Sequence, residues 1–500
     1  MGDLFGNLAL GFGVALSLEN VGIAFVGCLV GTLVGVLPGV GPIATITMLL
    51  PVTFGMEPVS ALIMLAGIYY GAQYGGSTSA ILVNIPGEVT AVVTTLDGHQ
   101  MAKQGRAGVA LGIAAIGSFF AGTVATLIIA ALATPLTSIA LLFGPAEYFS
   151  LMVAGLVFAV VLARGSIPKA MAMLLLGLLL STVGTDLETG ADRMTFGWAP
   201  IADGVDFAVL AMGIFGFAEV MRNLDVTEKR DVVKAAIGRL LPSREDLKAS
   251  AGPIVRGSLI GAGLGILPGN GAVLGPFASY TLEKKLAKDS RRFGRGAIEG
   301  VAGPESANNA GAQTSFIPLL TLGIPPNAVM ALMVGAMTIH GIVPGPLVMT
   351  RNPQLFWGLI ASMWIGNLML LVINLPLVGV WVRFLRVPYR LMVPAILLFS
   401  CIGIYSVNNS ATDVILTAAF GLAGYALTKL GFEPAPLLLG YVLGRLMEEN
   451  LRRALAIARG DLATFVQRPV SAGLLVLAAL VLAVAVAPSI RRRREEVFQE

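Results

Sequence analysis

Two runs of polar residues lie inside otherwise apolar segments, and their side chains are of the kinds that bind small ions. The runs are Gln73 with Gly75-Gly76-Ser77-Thr78-Ser79 in the first half, and Glu305, Asn308-Asn309 and Gln313-Thr314-Ser315 in the second. Amide and hydroxyl groups can solvate a carboxylate or a sodium ion without burying a full charge. A sodium ion would be held by Ser77, Asn308 and Asn309. The alternative is that these residues form hydrogen bonds between membrane helices.

Four breaks interrupt the apolar segments near these runs. They are Pro38-Gly39-Val40-Gly41, Asn84-Ile85-Pro86-Gly87, Pro268-Gly269-Asn270-Gly271 and Gly323-Ile324-Pro325-Pro326-Asn327. Pro and Gly stop helices, and backbone groups freed inside a bilayer must be buried in protein or line a cavity. Each new helix N-terminus is suited to a carboxylate, and each C-terminal carbonyl end to a cation. The breaks therefore predict a binding site, with structural kinks as the alternative.

Few ionisable residues fall at or near membrane depth: Glu88, Asp97, His99, Glu305 and His340. Such residues are functional hypotheses by default, and Glu305 is a candidate cation or proton site. Asp97 and His99 lie close to Lys103, so an interfacial position is equally consistent with the sequence. No Lys or Arg is clearly placed inside a span to bind an anion. Helix dipoles and a co-transported cation would have to supply the compensating charge.

The composition is that of a polytopic membrane protein. Of 500 residues, 56% are hydrophobic and 12% charged, and the mean hydropathy is +0.83, whereas soluble proteins carry about 25% charged residues. The basic residues cluster in short loops, which excludes a nucleic-acid-binding protein. Cys28 and Cys401 lie in apolar segments and predict neither a disulfide nor a metal framework. We expect an all-α fold of about 10–14 membrane segments.

The second half of the chain repeats the first. Gly35-Val36-Leu37-Pro38-Gly39 returns as Gly265-Ile266-Leu267-Pro268-Gly269, and Gly71-Ala72-Gln73 returns as Gly311-Ala312-Gln313. The connector 54–58 has no basic residue, but its counterpart 283–295 has six. Because loop charge sets orientation in the membrane, this reversal predicts two inverted-topology repeats. The predicted units are repeat halves 1–221 and 251–450, a cytoplasmic linker 222–250, and an extension 451–500 with one extra transmembrane helix and a basic cytoplasmic tail.

Segment lengths predict how the chain crosses the bilayer. Spans are expected near 107–134, 138–162, 167–185 and 205–221. The arms Gly257–Leu267 and Ala272–Leu282 would each reach only ~16 Å as helices, which favours a re-entrant hairpin around 268–271. By inversion the hairpin around 38–42 enters from the opposite side, so that the two tips meet near the middle. The basic stretch from Arg445 to Arg468 conflicts with this scheme, since strict inversion places it outside.

At these motifs the sequence resembles the large membrane subunit of the tripartite tricarboxylate transporters, the TctA family. The resemblance rests on Gly35-x-x-Pro38-Gly39-x-Gly41, Gly75-Gly76-Ser77 through Asn84-Ile85-Pro86-Gly87, Asp97-Gly98-His99, Glu305-x-x-Asn308-Asn309, and Pro318 through Gly323-Ile324-Pro325. It implies a bacterial inner-membrane secondary transporter for citrate-like carboxylates, with a small membrane subunit and a periplasmic solute-binding protein as partners. Where the family usually has Gly and then Ser after the second Ile-Pro, this chain has Pro326-Asn327.

The leading hypothesis is a permease that couples carboxylate import to a sodium or proton gradient, with no other cofactor. The substrate would lie between the opposed hairpin tips, and one block would move against the other to alternate access. An anion channel, whose flux would ignore both gradients, is one alternative. A stand-alone carboxylate carrier without a binding protein is another. A membrane enzyme is disfavoured because the spans contain no nucleophile and base pair and no metal cluster.

Overall fold

The computed structural model describes residues 4–37, 41–163, 166–186, 188–225, 238–268, 271–385 and 389–487. Five of the predicted site residues, Pro38, Gly39, Val40, Gly269 and Asn270, lie outside the described residues. So do the middle of the predicted linker and the basic C-terminal tail. Nearly all of the described regular structure is helical, as the composition predicts.

The helices of the first half and the segment that follows it are α1 (Leu4–Ala15), α2 (Leu18–Val36), α3 (Pro42–Thr53), α4 (Pro58–Val83), α5 (Val92–Lys103), α6 (Ala107–Ala140), α7 (Pro145–Leu162), α8 (Ile167–Ser181), α9 (Phe207–Ala211) and α10 (Ala218–Asp225). A π-helical turn, Met212–Phe217, joins α9 to α10, and 3₁₀ turns occupy Val89–Ala91 and Ala199–Ile201. Two short strands, β1 (Gly184–Thr185) and β2 (Asp192–Arg193), pair antiparallel with Gly184 opposite Arg193. These strands are a small departure from the all-α expectation.

The helices of the remainder are α11 (Arg244–Gly265), α12 (Gly271–Leu286), α13 (Glu299–Thr314), α14 (Phe316–Leu322), α15 (Ala328–Ile339), α16 (Leu347–Arg351), α17 (Pro353–Asn374), α18 (Val378–Phe384), α19 (Tyr389–Asn408), α20 (Ala411–Lys429), α21 (Ala435–Ile457), α22 (Thr464–Gln467) and α23 (Pro469–Val486). A 3₁₀ turn, Ser290–Arg292, lies between α12 and α13.

Seven helical segments in the described ranges are long and apolar enough to cross a bilayer. They are α2, α6, α7, the continuous segment Phe207–Asp225, α17, α20 and α23. The last of these occupies the position of the predicted extra C-terminal helix. The larger count of 10–14 membrane segments includes half-helices and stays a prediction.

One predicted span boundary is wrong. The prediction places spans near 107–134 and 138–162, but α6 runs through Pro135 to Ala140 and α7 begins only at Pro145. The helices that contain the predicted 11-residue arms extend past Arg256 and Lys284, so that α11 has 22 residues and α12 has 16. A capping box begins α11 early: the Ser243 hydroxyl accepts from the Asp246 N–H at 3.1 Å, and the Asp246 carboxylate accepts from the Ser243 N–H at 3.0 Å. The polar residues after it therefore continue the helix.

Glycines spaced four residues apart pack two pairs of helices in backbone contact. On α2, a Cβ built at Gly31 would lie 2.3 Å from the carbonyl oxygen of Ile68 on α4. On α11, a Cβ built at Gly261 would lie 2.1 Å from the carbonyl oxygen of Ala307 on α13. The full series are Gly27, Gly31 and Gly35 against α4, and Gly257, Gly261 and Gly265 against α13. Such small-residue seams let membrane helices approach closely.

Substituting Gly31 with alanine is expected to lower the thermal stability of the purified protein, because the methyl group overlaps the α4 backbone. Overpacking of this kind costs about 1–3 kcal/mol. Gly22 on the same helix has nothing within 4 Å of its built Cβ, so Gly22→Ala is the matched control. Thermal unfolding in detergent should separate the two variants. Equal midpoints would show that α2 and α4 are not packed this closely.

Two polar helices occupy the centre of the protein rather than its lipid-facing surface. In α4 every residue from Ser60 to Val83 is buried, and in α13 every residue from Gly300 to Thr314 is buried. A helix buried on all sides lies inside a larger bundle. The predicted polar runs of both halves therefore belong to the interior.

An ion-pair cluster explains the arginines that conflicted with the inverted scheme. Arg452 pairs with Asp186 at 2.8 Å and with Glu448 at 2.7 Å, and Arg468 pairs with Glu147 at 2.7 Å. Asp186 follows α8, and Glu147 lies in the first turn of α7. Because the partners touch, Arg452 of α21 and Arg468 after α22 lie directly beside these acids. The acidic partners offset the positive charge that would otherwise favour the cytoplasmic side.

The stabilising effect of Asp186 should depend on pH. A backbone N–H from Glu188, and then the Arg452 guanidinium, lower the pKa of Asp186 from 3.8 to about 2. A lowered carboxyl pKa stabilises the folded protein above its ordinary pKa, and this contribution is lost as the pH falls toward the folded value. The difference in unfolding temperature between the parent and Asp186→Asn should be constant from about pH 7 to 4 and shrink below that.

The control for this measurement is Asp203→Asn on the same face, since Asp203 forms no ion pair within the described ranges. Its unfolding temperature should follow the parent at every pH. A difference for Asp186→Asn that does not change with pH would contradict the expectation.

Candidate functional site

The buried polar residues of the two halves meet where α4, α5 and α13 pack together. Glu305 on α13 is fully buried. One carboxylate oxygen accepts a hydrogen bond from the Ser77 hydroxyl on α4 at 2.5 Å, and the other accepts from the Thr94 hydroxyl on α5. No Lys or Arg side chain pairs with Glu305 in the described part of the chain. A carboxyl group without a cationic partner is thus held by neutral hydroxyls alone.

A second carboxyl group, that of the half-buried Glu88, lies on the segment after α4. One oxygen of Glu88 accepts from the Gln73 side-chain amide at 2.8 Å, and the Thr90 hydroxyl donates to the side-chain oxygen of Gln73 at 2.9 Å. The other oxygen, Oε1 of Glu88, is buried and has no hydrogen-bond partner. A buried acceptor normally has a partner, so this oxygen is available to a ligand.

The neighbouring residues Asn308 and Asn309 differ in their surroundings. The Asn309 side chain donates to the Ser118 hydroxyl on α6 at 2.7 Å and to the carbonyl oxygen of Glu305 at 3.2 Å. Asn308 is 1% exposed, yet neither its side-chain nitrogen nor its oxygen has a hydrogen-bond partner. Asn308 follows Glu305 by three residues, so both lie on one face of α13. An unpartnered buried amide on that face is the sharpest indication of a binding site here.

Helical geometry stops after α4 and after α14 in the same way. Asn84 ends α4 with φ 60°, and Gly323 ends α14 with φ 73°. Both are left-handed helix caps, which favour Gly and Asn. Beyond the second stop, Asn327 caps α15, and its side-chain oxygen accepts from the Met330 N–H at 3.0 Å. The departure from the family's usual Gly-Ser therefore keeps a good helix N-cap.

The first stop packs directly against the end of α2. A Cβ built at Gly87 would lie 2.0 Å from the carbonyl oxygen of Gly35 and 2.7 Å from Cα of Gly76. The Ser79 hydroxyl lies 3.4 Å from the same Gly35 carbonyl. The segment that contains Pro86 and Gly87 is therefore fitted between α2 and α4, close to where α2 ends before the first predicted break.

Several predicted site residues have structural partners. Thr78, Ser79, Thr314 and Ser315 donate to carbonyl oxygens three or four residues earlier in their own helices. Gln313 accepts from the Thr126 hydroxyl on α6 at 2.6 Å. These contacts satisfy the side chains within the bundle, which is the alternative role that the sequence left open. That these residues also bind a ligand stays a prediction.

The remaining predicted residues are at helix ends or in the helix seams. Gly41 begins α3, Gly75 packs against Thr32 of α2, and Gly271 begins α12 close to the carbonyl oxygen of Leu264. Pro268 lies in the turn between α11 and α12, and Pro325 in the segment between α14 and α15. Among the ionisable residues, His99 contacts the Ile81 carbonyl at 3.0 Å, and the Nε2 atom of His340 is buried without a partner.

Sequence reasoning missed four polar residues that complete the site. They are Thr90 and Thr94, which bind Gln73 and Glu305, Ser118, which binds Asn309, and Tyr69, whose hydroxyl interacts with Ser315 and Asn327. Isolated Thr, Ser and Tyr residues in apolar segments carry no distinctive spacing. The close succession of Glu88, Thr90 and Thr94 after a helix break was the available signal.

Comparison with known proteins identifies the family. Residues 21–439 match the Tripartite tricarboxylate transporter TctA family. The chain belongs to this family. It is accordingly a multi-pass membrane protein, the TctA component of a tripartite tricarboxylate transporter, and it is a transporter subunit rather than an enzyme. A tripartite system implies further subunits.

Two Agrobacterium vitis proteins resemble this TctA-family chain. One, described as an uncharacterized 52.8 kDa protein in the TAR-I ttuC' 3' region, is 56% identical over 500 residues and covers 100% of both chains. The other, an uncharacterized protein in the TAR-II ttuC' 3' region, is 60% identical over 240 residues, which are 48% of this chain and 99% of the relative. No solved structure matches the chain.

Proposed function

We propose that this TctA-family chain is the permease subunit of a binding-protein-dependent secondary transporter. It imports citrate-like di- or tricarboxylates and couples this import to a sodium or proton gradient. The observation that carries the proposal is the Asn308 amide, which is buried without a partner on the same face of α13 as Glu305. A buried acid that has no cationic partner among the described residues, with amides nearby, is suited to a cation that travels with an anionic substrate.

The substrate lies between opposed broken helices, whose N-termini bind its carboxylates. Carbonyl, amide and hydroxyl oxygens bind the coupling ion, with Ser77, Asn308 and Asn309 as the candidate sodium ligands. The equivalent glycine seams of α2 with α4 and of α11 with α13 support two repeats. So do the left-handed caps at Asn84 and Gly323. Inverted orientation of these repeats would let one block move against the other and alternate access.

The α11 and α12 pair supports a re-entrant hairpin. The two helices are antiparallel: Gly261 packs close to Gly275, and the Arg256 guanidinium binds the Glu283 carboxylate through two hydrogen bonds of 2.8 and 2.6 Å. Their connecting turn would lie near the middle of the bilayer, facing the corresponding turn after α2. The open end, with its basic connector, lies on the cytoplasmic side.

The partners are a small membrane subunit and a periplasmic solute-binding protein that delivers the carboxylate. The transporter resides in the bacterial inner membrane with the C-terminus of this chain in the cytoplasm, where its basic tail is favoured.

Uptake measurements test this function directly. Cells that express the complete transporter should accumulate labelled citrate or a related carboxylate, and collapsing the sodium or the proton gradient should abolish the accumulation. Asn308→Ala should reduce uptake while the protein is still inserted. Flux that ignores both gradients would instead support a channel, and accumulation without the binding protein would support a stand-alone carrier.

A further inference from the structure

The carboxylate of Asp97 on α5 accepts four hydrogen bonds from distant parts of the chain. One of its carboxylate oxygens accepts hydrogen bonds from the backbone N–H groups of Gly294 at 2.9 Å, Gly296 at 2.8 Å and Ala297 at 2.8 Å. The other accepts from the Tyr280 hydroxyl at 2.9 Å. Asp97 is fully buried. Three N–H groups directed at one oxygen form an anion-binding nest.

The connector is shaped for this contact. It comprises residues 287–298, between α12 and α13, and Gly294 and Gly296 have φ of 81° and 100°. These left-handed values turn successive N–H groups toward the same point, and glycine adopts them without strain. Tyr280 on α12 also packs edge-on against Phe293, with ring centroids 5.4 Å apart. Asp97 thus links α5 to Tyr280 on α12, which precedes the connector, and to Ala297 at the end of the connector, just before α13.

Asp97 lies between the buried polar site and a cavity that is open to the connector face. One turn earlier on α5, Thr94 binds Glu305. On α13, a Cβ built at Gly300 would lie 2.3 Å from Asp97, so α5 and α13 are in contact around its carboxylate. Beyond it is a cavity of about 540 Å³, lined in part by Gly296, Ala297, Arg106 and Arg295.

We propose that Asp97 is a positioning residue that holds the connector against α5 and so closes the passage between this cavity and the site around Glu305. Releasing Asp97 from the backbone nest opens that passage on the connector face. The inference deepens the proposed function and rests on it, because it assigns the closure on one side of the transport site to a single carboxylate and its nest.

Cysteine accessibility tests this closure without substrate. Ser279, on α12 beside Tyr280, is buried, its hydroxyl has no partner, and it faces Gly303 of α13. A Ser279→Cys reporter in a Cys401→Ser background should react slowly with a hydrophilic maleimide. Adding Asp97→Ala should raise the labelling rate at least tenfold, and only when the reagent is offered from the connector face. Tyr280→Phe, which removes one hydrogen bond and keeps the ring, should give a smaller rise in the same direction.

Two controls separate closure from general loosening. Asp289→Asn changes another acid of the same connector, whose side chain caps Ser290–Arg292, and should leave the labelling rate unchanged. Cys28, buried at the α2 and α4 seam, should stay unreactive in every variant.

Two outcomes would overturn the proposal. The first is a labelling rate of the Ser279→Cys reporter that neither Asp97→Ala nor Tyr280→Phe raises. The second is an equal rise at Cys28 and at the reporter, which would show a merely structural role for Asp97. Because the assay needs no carboxylate, its result is independent of whether the proposed substrate class is right.

Discussion

Replacing Glu305 with glutamine is expected to slow gradient-driven carboxylate uptake strongly and to leave the protein folded in the membrane. Glutamine keeps the size of the side chain and one oxygen that can accept from Thr94. It cannot carry the negative charge that binds a cation or the proton that a carboxyl group exchanges. Hydrogen bonds to a charged group contribute about 1.5–3 kcal/mol, which corresponds to about a 10- to 160-fold loss of uptake rate.

The matched control is Glu299→Gln, on the same helix. Glu299 lies at the start of α13 and pairs with Arg292 on the connector side. Its replacement should reduce uptake little, since it contacts none of the hydroxyls around Glu305. Initial uptake rates and thermal unfolding should be measured for both proteins. If a correctly inserted Glu305→Gln protein accumulates the carboxylate as well as the parent does, Glu305 is not part of the coupling site.

Asn308→Ala is expected to reduce uptake without lowering the stability of the protein. The Asn308 amide has no partner, so its removal relieves the cost of burying an unsatisfied polar group, about 1–3 kcal/mol. The unfolding temperature should therefore equal or exceed that of the parent. Uptake should nevertheless fall about tenfold or more, because a ligand hydrogen bond of more than about 1.4 kcal/mol is lost.

Asn309→Ala provides the contrast at the next position. Its side chain binds Ser118 and the Glu305 carbonyl, so truncation should lower the unfolding temperature by loss of two hydrogen bonds. The sequence pattern alone does not distinguish the two asparagines. If Asn308→Ala transports like the parent, or if it is the less stable of the two variants, the amide is not reserved for a ligand.

The broken helices show how far local sequence signals reach. Asn84 and Gly323 are residue types that adopt left-handed geometry, and the prolines two residues later prevent the helix from continuing. Such stops depend on a few neighbouring residues and can be predicted from them. The length of α11 could not be predicted from hydropathy, because a polar stretch does not by itself end a helix. The capping box at Ser243 starts a helix that continues from polar into apolar sequence.

The glycine seams can be recognised in the sequence by a regular spacing, whereas the partners of the polar residues cannot. Gly27, Gly31 and Gly35 recur every four residues, as do Gly257, Gly261 and Gly265. This spacing indicates one helix face that accepts a close neighbour. It does not name the neighbour, since α4 and α13 became the partners only when the bundle assembled.

The sequence by itself determined that this is a helical membrane transporter component with breaks beside polar runs, because hydropathy, helix stops and family motifs are local properties of the chain. Only the tertiary structure decided which polar residues are satisfied. Ser77 and Thr94 bind Glu305, which lies more than 200 residues later in the chain. The Asn309 side chain has hydrogen-bond partners, and the Asn308 side chain has none. Asp97 is bound by a connector almost 200 residues away. Hydrogen bonds act over about 3 Å, so their partners are set by how the helices pack and not by their order in the chain.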